Sequence, residues 1–187
     1  MEASELNQYR YIIGGLAAPG KGRAFIVILG RKREGLESMV VIDEMECQDL
    51  YELIHTAAQW DAFFHCDRWV GDSKNVTMRQ FVMRIRKEVP GSQEFNVHPT
   101  LLAEKKQGFY EYAMPTLREM IDEGLLVLPP SGLLRDYLSK IDADDLTSLE
   151  LGSVPAVEAL TFAAVELSRY KAGGKKHTKV VNDYQRL

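Results

Sequence analysis

YRYIIGGLAAPGKGRAFIVILGRKREGLESMVVI, residues 9–42, decides the fold. Tyr9 to Gly15 is a short, apolar, β-branched run that ends in a Gly pair. After the turn-rich AAPGKG, Ala24 to Leu29 (AFIVIL) is a second run, stopped by Gly30 and the RKREG turn. Met39 to Ile42 (MVVI) is the third, ending at Asp43 and Glu44. Three apolar runs with turn-type connections predict an antiparallel meander.

The pattern then changes. Asp49 predicts a helix cap, with Glu52 three residues on as its reciprocal partner. Leu50, Leu53, Ile54 and Ala57 follow at helical spacing. Ala62 to Cys66 (AFFHC) reads as a fourth strand ending at Asp67. Met78, Phe81, Val82 and Ile85 mark another helix, and EFNVH a brief fifth strand closed by Pro99. Leu101 to Glu123 is helical in composition but is expected to break at Pro115. LLVLP (Leu125 to Pro129) is a short strand or an extended link, and Leu133 to Ile141 a short helix. The last helix is predicted from about Val154 to Tyr170, with Ser153 as cap and Pro155 in its first turn. The expected fold class is α/β, a three-strand meander followed by αβαβ in one mixed sheet with helices on both faces.

Length and charge set the frame for this order. The 187 residues suit a single domain over 1–170 with a basic tail at 171–187. Net charge is −4, but six Lys/Arg and one acid lie from Arg169 onward. Such a tail is a phosphate-binding arm or a solvated extension. The start, MEASELNQYR, lacks the apolar stretch of a secretory signal, and no long apolar run predicts a membrane span. Two cysteines, Cys47 and Cys66, are too few for a disulfide framework or a structural zinc site. The expectation is a cytoplasmic chain with reduced thiols.

Mixed sheets place their sites at the carboxyl ends of strands, where the topology switches. The exits of strands one and four are therefore the segments to inspect. The second contains His65-Cys66-Asp67-Arg68-Trp69-Val70-Gly71-Asp72. Asp67 at a strand end before a Gly turn is a candidate Mg²⁺ or Mn²⁺ ligand; equally, it accepts hydrogen bonds from its own turn or pairs with Arg68. Cys66 reads as a buried, inert thiol. Strand one is informative for what it lacks: no acid lies between Glu5 and Glu34, so its exit at Gly14, Gly15, Leu16 and Ala17 supplies no bridging carboxylate. The AAPGKG loop lacks the phosphate-binding spacing, so no nucleotide is expected.

The order βββαβαβ followed by helices resembles the RNase H-like superfamily, and within it the C-terminal nuclease domain of phage terminase large subunits. The resemblance covers roughly residues 9–170. It is carried by FYEYAMPTLREMIDEGLLVLPPSGLLRDYL (109–138), a helix leading to a short apolar segment ending in Pro and then a Leu-rich helix. VPAVEALTFAAVEL (154–167) resembles the final helix. The resemblance implies three acidic positions holding two Mg²⁺ or Mn²⁺ ions for phosphodiester cleavage. The first falls on Leu16 or Gly15, the second on Asp67, and the third on Val154 or Pro155. Glu158 keeps the next acidic position. Two of three are therefore apolar, and no Walker A motif accompanies them.

The expected function is a terminase nuclease-like domain of phage or prophage origin that does not cleave and binds double-stranded DNA or a phage assembly protein. Its phosphate contacts would come from Arg31, Lys32 and Arg33 and from Lys175, Lys176 and Lys179. No cofactor is expected, and Mg²⁺ or Mn²⁺ only if the chain is active. The alternatives are an active metal-dependent endonuclease with relocated carboxylates drawn from Asp43, Asp67, Asp72 and Glu158, and a protein-interaction module anchored by Trp60, Trp69, Tyr110 or Tyr112, each of which is otherwise a core residue.

Overall fold

The structure is a computed structural model that describes residues 3–18, 23–33, 38–72, 76–100, 108–142, 144 and 146–170. A short helix α1 (Ala3–Leu6) leads into three long strands, β1 (Tyr9–Ala17), β2 (Ala24–Lys32) and β3 (Met39–Cys47). There follow α2 (Leu50–Phe64), β4 (Arg68–Gly71), α3 (Val76–Glu88) and β5 (Val97–Pro99). The chain continues through α4 (Phe109–Asp122), β6 (Leu126–Val127), α5 (Leu133–Lys140) and α6 (Pro155–Ser168). The six strands form one sheet in the order β5-β4-β1-β2-β3-β6. The meander is antiparallel as expected, whereas β4 runs parallel to β1, β5 to β4 and β6 to β3.

Both faces are covered. Helices α4, α5 and α6 pack on one through Phe109, Leu117, Leu134 and Phe162 against Ile13, Phe25, Val27 and Leu29. Helices α2 and α3 pack on the other through Leu53, Ile54, Met78 and Ile85 against Ile12, Leu16, Ile26 and Ile28. Alternation along β1 and β2 sends successive residues to opposite layers, and both layers are apolar. The hydrophobic run AFIVIL is thus a strand buried on both sides.

Helix α6 lies closest to the sheet. Every residue from Ala156 to Leu167 is buried. Its small residues admit this approach. A Cβ on Gly15 would lie 2.2 Å from the Ala159 carbonyl oxygen and 2.9 Å from the Ala163 Cβ, so only glycine fits beneath the helix. On the opposite side, a Cβ on Gly14 would fall 2.1 Å from the Trp69 ring. The Gly pair therefore sits inside β1, which continues to Ala17, and serves as a packing surface on both faces.

Several boundaries differ from the sequence reading. AFFHC forms no strand. Asp49 caps α2 by accepting the Glu52 N–H at 2.8 Å, and the helix runs through Phe64, one full heptad beyond Ala57. His65 then ends it in the left-handed region, φ 50°. The Glu52 carboxylate reaches back to the Gln48 N–H at 2.5 Å rather than to the cap itself. Helix α4 continues through Pro115, because Pro115 and Glu111 are both exposed and the carbonyl left without a donor faces water. Residues 101–107, the start expected for that helix, lie outside the described residues. Val154, not Ser153, is the N-cap of α6; the Ser153 hydroxyl accepts the Glu150 N–H instead.

Candidate functional site

The helix boundary moves the site. With α2 running to Phe64, β4 is RWVG, and Asp67 precedes it. Asp67 thus lies at the amino end of β4 and Asp72 just beyond its carboxyl end, about 16 Å apart at strand rise. Asp67 is held against β1: its Oδ2 accepts the Ile12 N–H at 2.8 Å, and its own N–H donates to the Ile12 carbonyl at 2.8 Å. It bonds neither within its turn nor to Arg68, whose guanidinium pairs with Glu166 at 2.8 Å. The placement of Asp67 at a strand exit is therefore corrected, and Asp72 takes that position.

At the carboxyl end, β1 and β4 run side by side with Leu16 opposite Gly71. Gly15 is roofed by α6, and Ala17 belongs to the same layer. Leu16 points into the other layer, among Leu53 and Ile54, and is fully buried. No side chain at this exit of β1 offers an oxygen.

Above it stands the first turn of α6. Glu158 is 2% exposed, and its Oε1 accepts two hydrogen bonds. The Tyr110 hydroxyl donates to its Oε1, and the Gly152 N–H donates to the same atom at 2.6 Å. The Val154 N–H in turn donates to the Tyr110 oxygen at 2.6 Å, which satisfies an N-terminal donor of α6 that no capping side chain serves. Burial pushes the Glu158 carboxyl up to about 7; the bonds from Tyr110, Gly152 and Val154 pull it down, and the charge of nearby Asp72 adds to the rise. Burial, reinforced by Glu158, also raises the Tyr110 phenol. Tyr110 comes from the first turn of α4, so the cluster ties α4, α6 and the Gly152 turn together.

This donor set does not fit a two-metal centre. Such a centre needs a carboxylate bridging ions about 3.5–4 Å apart, and Gly15, Leu16, Ala17, Val154 and Pro155 offer none. Among the described residues, no group of three or more His, Cys, Asp or Glu side chains is placed to hold a metal ion.

The remaining candidates are scattered. Asp43 is not at a strand end: β3 continues to Cys47, and Asp43 faces solvent opposite Ile28, accepting the Glu44 N–H. Arg31 and Lys32 belong to β2 rather than to a turn. Arg31 is buried and donates to the Leu167 carbonyl at 3.3 Å, at the C-terminal end of α6. Lys32 is exposed, and Arg33 donates through Nε to the Tyr9 carbonyl at 3.1 Å. Lys175, Lys176 and Lys179 lie outside the described residues. Of the aromatic candidates, Trp69 and Tyr110 are buried in the core, whereas Trp60 and Tyr112 are half-buried. Burial pushes the Cys47 thiol up to about 12 and raises that of Cys66, away from nucleophilic behaviour.

The pairing of Tyr110 with Glu158 is not visible in the sequence, since they are 48 residues apart. Asp72 is visible as a candidate, but only the corrected start of β4 brings it to the strand exit. The signal for that shift is Phe64, which stands at helical spacing from Ala57.

No protein-family profile matches the chain, and neither does any curated protein. Solved structures do. The chain is similar to the large terminase nuclease from thermophilic phage G20c, with a TM-score of 0.57 at 13% identity, covering 85% of this chain and 85% of that one. It is also similar to the g2p (large terminase) nuclease domain of bacteriophage SPP1, solved with bound Mn, with a TM-score of 0.52 at 15% identity, covering 89% and 92%. The mixed sheet with its antiparallel β1-β2-β3 meander is thus the RNase H-like fold, in the form shared with large-terminase nuclease domains.

Proposed function

We propose that this chain is a nuclease-fold domain of phage or prophage origin that binds double-stranded DNA without cleaving it. One observation carries the reading. The exit of the central strand is built from Gly15, Leu16 and Ala17, and α6 presses onto Gly15 where a metal-bridging carboxylate would have to stand. The acid that remains in the first turn of α6, Glu158, is spent on Tyr110 and Gly152. Likeness in fold to two phage terminase nucleases supports the DNA-packaging context, and a phage assembly protein is the other partner that context supplies. Lys175, Lys176 and Lys179 are proposed as phosphate contacts in the tail, where sequence-independent charge dominates affinity.

A second reading rests on two acids at the same strand exit: Asp72 follows Gly71, which lies opposite Leu16, and Glu158 belongs to the first turn of α6 above it. They would hold one Mg²⁺ or Mn²⁺ ion in an enzyme with relocated ligands. Calorimetric titration of Mn²⁺ into the full chain, with plasmid nicking on the same sample, separates the two. The expected result is no site-like heat and no nicking beyond that of Asp72→Asn, with retention of plasmid DNA in a mobility-shift assay. Stoichiometric Mn²⁺ binding with nicking abolished by Asp72→Asn overturns the non-cleaving reading.

A further inference from the structure

A cavity of about 390 Å³ opens at the amino end of the sheet, between the α1–β1 connection and the C-terminal end of α2. That is the end opposite Asp72 and Glu158, and its volume lies in the range of small-ligand sites. Two kinds of wall meet there. Phe63, Phe64 and Ile12 make one apolar side, and Arg10 and Arg33 make a cationic one. Phe63 is 42% exposed on the last turn of α2, although its neighbour Phe64 is packed into the core. Arg33 is fixed at the wall by its bond to the Tyr9 carbonyl, and the Arg10 guanidinium lies 5.5 Å from the Tyr11 ring centroid. Asp67 also lines the cavity, but its Oδ2 already accepts the Ile12 N–H. The Tyr170 ring packs on Tyr11 with centroids 5.0 Å apart, beside Arg10.

We propose that this cavity holds one unpaired nucleotide of a DNA strand, with its phosphate on Arg10 and Arg33 and its base against Phe63. An inorganic anion leaves the exposed aromatic ring unused, and a purely apolar ligand leaves the arginine side of the wall unused. A nucleotide answers both walls, since base-on-aromatic stacking beside backbone-tracking arginines is how single strands are held. A base pair buries the edge and faces of its bases within the duplex stack, so the ring reaches only an unpaired base. The inference rests on the DNA-binding reading but not on the absence of cleavage.

The test is fluorescence anisotropy of a labelled oligothymidylate with the full chain. Phe63→Ala is expected to weaken binding about five- to a hundredfold, with Phe63→Tyr restoring it. Arg10→Ala together with Arg33→Ala is expected to lower the slope of log affinity against log salt by about 0.7, the value for one lost phosphate contact on a single strand. Arg23→Ala with Arg118→Ala removes the same charge at the carboxyl end and on α4, and should leave that slope unchanged. Unlabelled dTMP should compete far more weakly than the oligonucleotide; equal competition assigns the cavity to a free nucleotide and overturns the strand. Oligonucleotide binding that survives all the cavity substitutions overturns the site and leaves DNA binding standing elsewhere on the molecule. Failure of the wild-type chain to bind either the oligonucleotide or plasmid DNA overturns both readings together. Melting curves on each variant exclude unfolding as the cause of a loss.

Discussion

The two ends of the sheet are built on opposite plans. At the carboxyl end, where β1 and β4 exit side by side, space is filled: Gly15 lies under α6, Leu16 is buried, and Glu158 is closed into bonds with Tyr110 and Gly152. At the amino end, charge is abundant and space remains. Glu166 there draws in Arg68 and Arg169, each at 2.8 Å, Arg31 meets the last turn of α6, and Arg10 and Arg33 line an open cavity. One strand pair thus supplies both a packed exit and a polar entrance. A strand exit becomes a reactive site only where the helix above it stands off far enough to admit oxygen ligands. Here the alanines of α6 bring it down onto glycine instead, and a side chain at Gly15 would meet the helix backbone.

The packed end is broken most directly at Gly15. A methyl group there meets backbone on the helix side, so Gly15→Ala is expected to lower stability by about 3 kcal/mol, the upper end of the usual cost of overpacking. Chemical denaturation of the variant measures it. A cost near zero means that α6 stands off the sheet, and the contrast between the two ends dissolves.

Titration sharpens the contrast further. The Glu158 carboxyl is raised to about 7 in the fold from its ordinary 4.5. Between those values the folded state keeps a proton that the unfolded chain has lost, so stability falls as pH rises through this window. The loss is complete above the folded value. At 1.36 kcal/mol per unit, the decline approaches about 3 kcal/mol. Urea denaturation between pH 4 and 8 should show this slope, and Glu158→Gln should flatten it. A slope that persists in that variant places the titrating group elsewhere.

At the charged end the expected effect is smaller. Glu166→Gln removes the carboxylate shared by Arg68 and Arg169, whose side chains are 28% and 26% exposed. Water reaches both arginines, so the cost is expected at about 2 kcal/mol, below that of breaking a fully buried pair. Thermal melts in low and high salt check it. Salt sensitivity of the wild type that disappears in the variant assigns the pair its share.

Much of the architecture is legible in the sequence because local rules suffice. AFIVIL and MVVI are strands by composition, Asp49 marks the start of α2, and Pro155 the start of α6. The site is legible only in part. AFFHC is apolar and short, and periodicity alone does not separate a buried strand from the last turn of a helix. That single ambiguity moves Asp67 from one end of β4 to the other. The Gly pair reads as the end of a strand, since glycine punctuates turns; its role as the contact between β1, α6 and Trp69 depends on elements more than fifty residues away. Arg31 in RKR reads as surface charge, yet the end of α6 draws it inside.

The sequence by itself determined the mixed α/β order, the apolar layers and the lack of an acid on the central strand, because these depend on residue type and on periods of two and 3.6 along the chain. The tertiary structure alone decided which acids meet and which end of the sheet is open. Those outcomes turn on strand register and on how near a helix lies to the sheet, and both are set by packing between residues far apart in the chain.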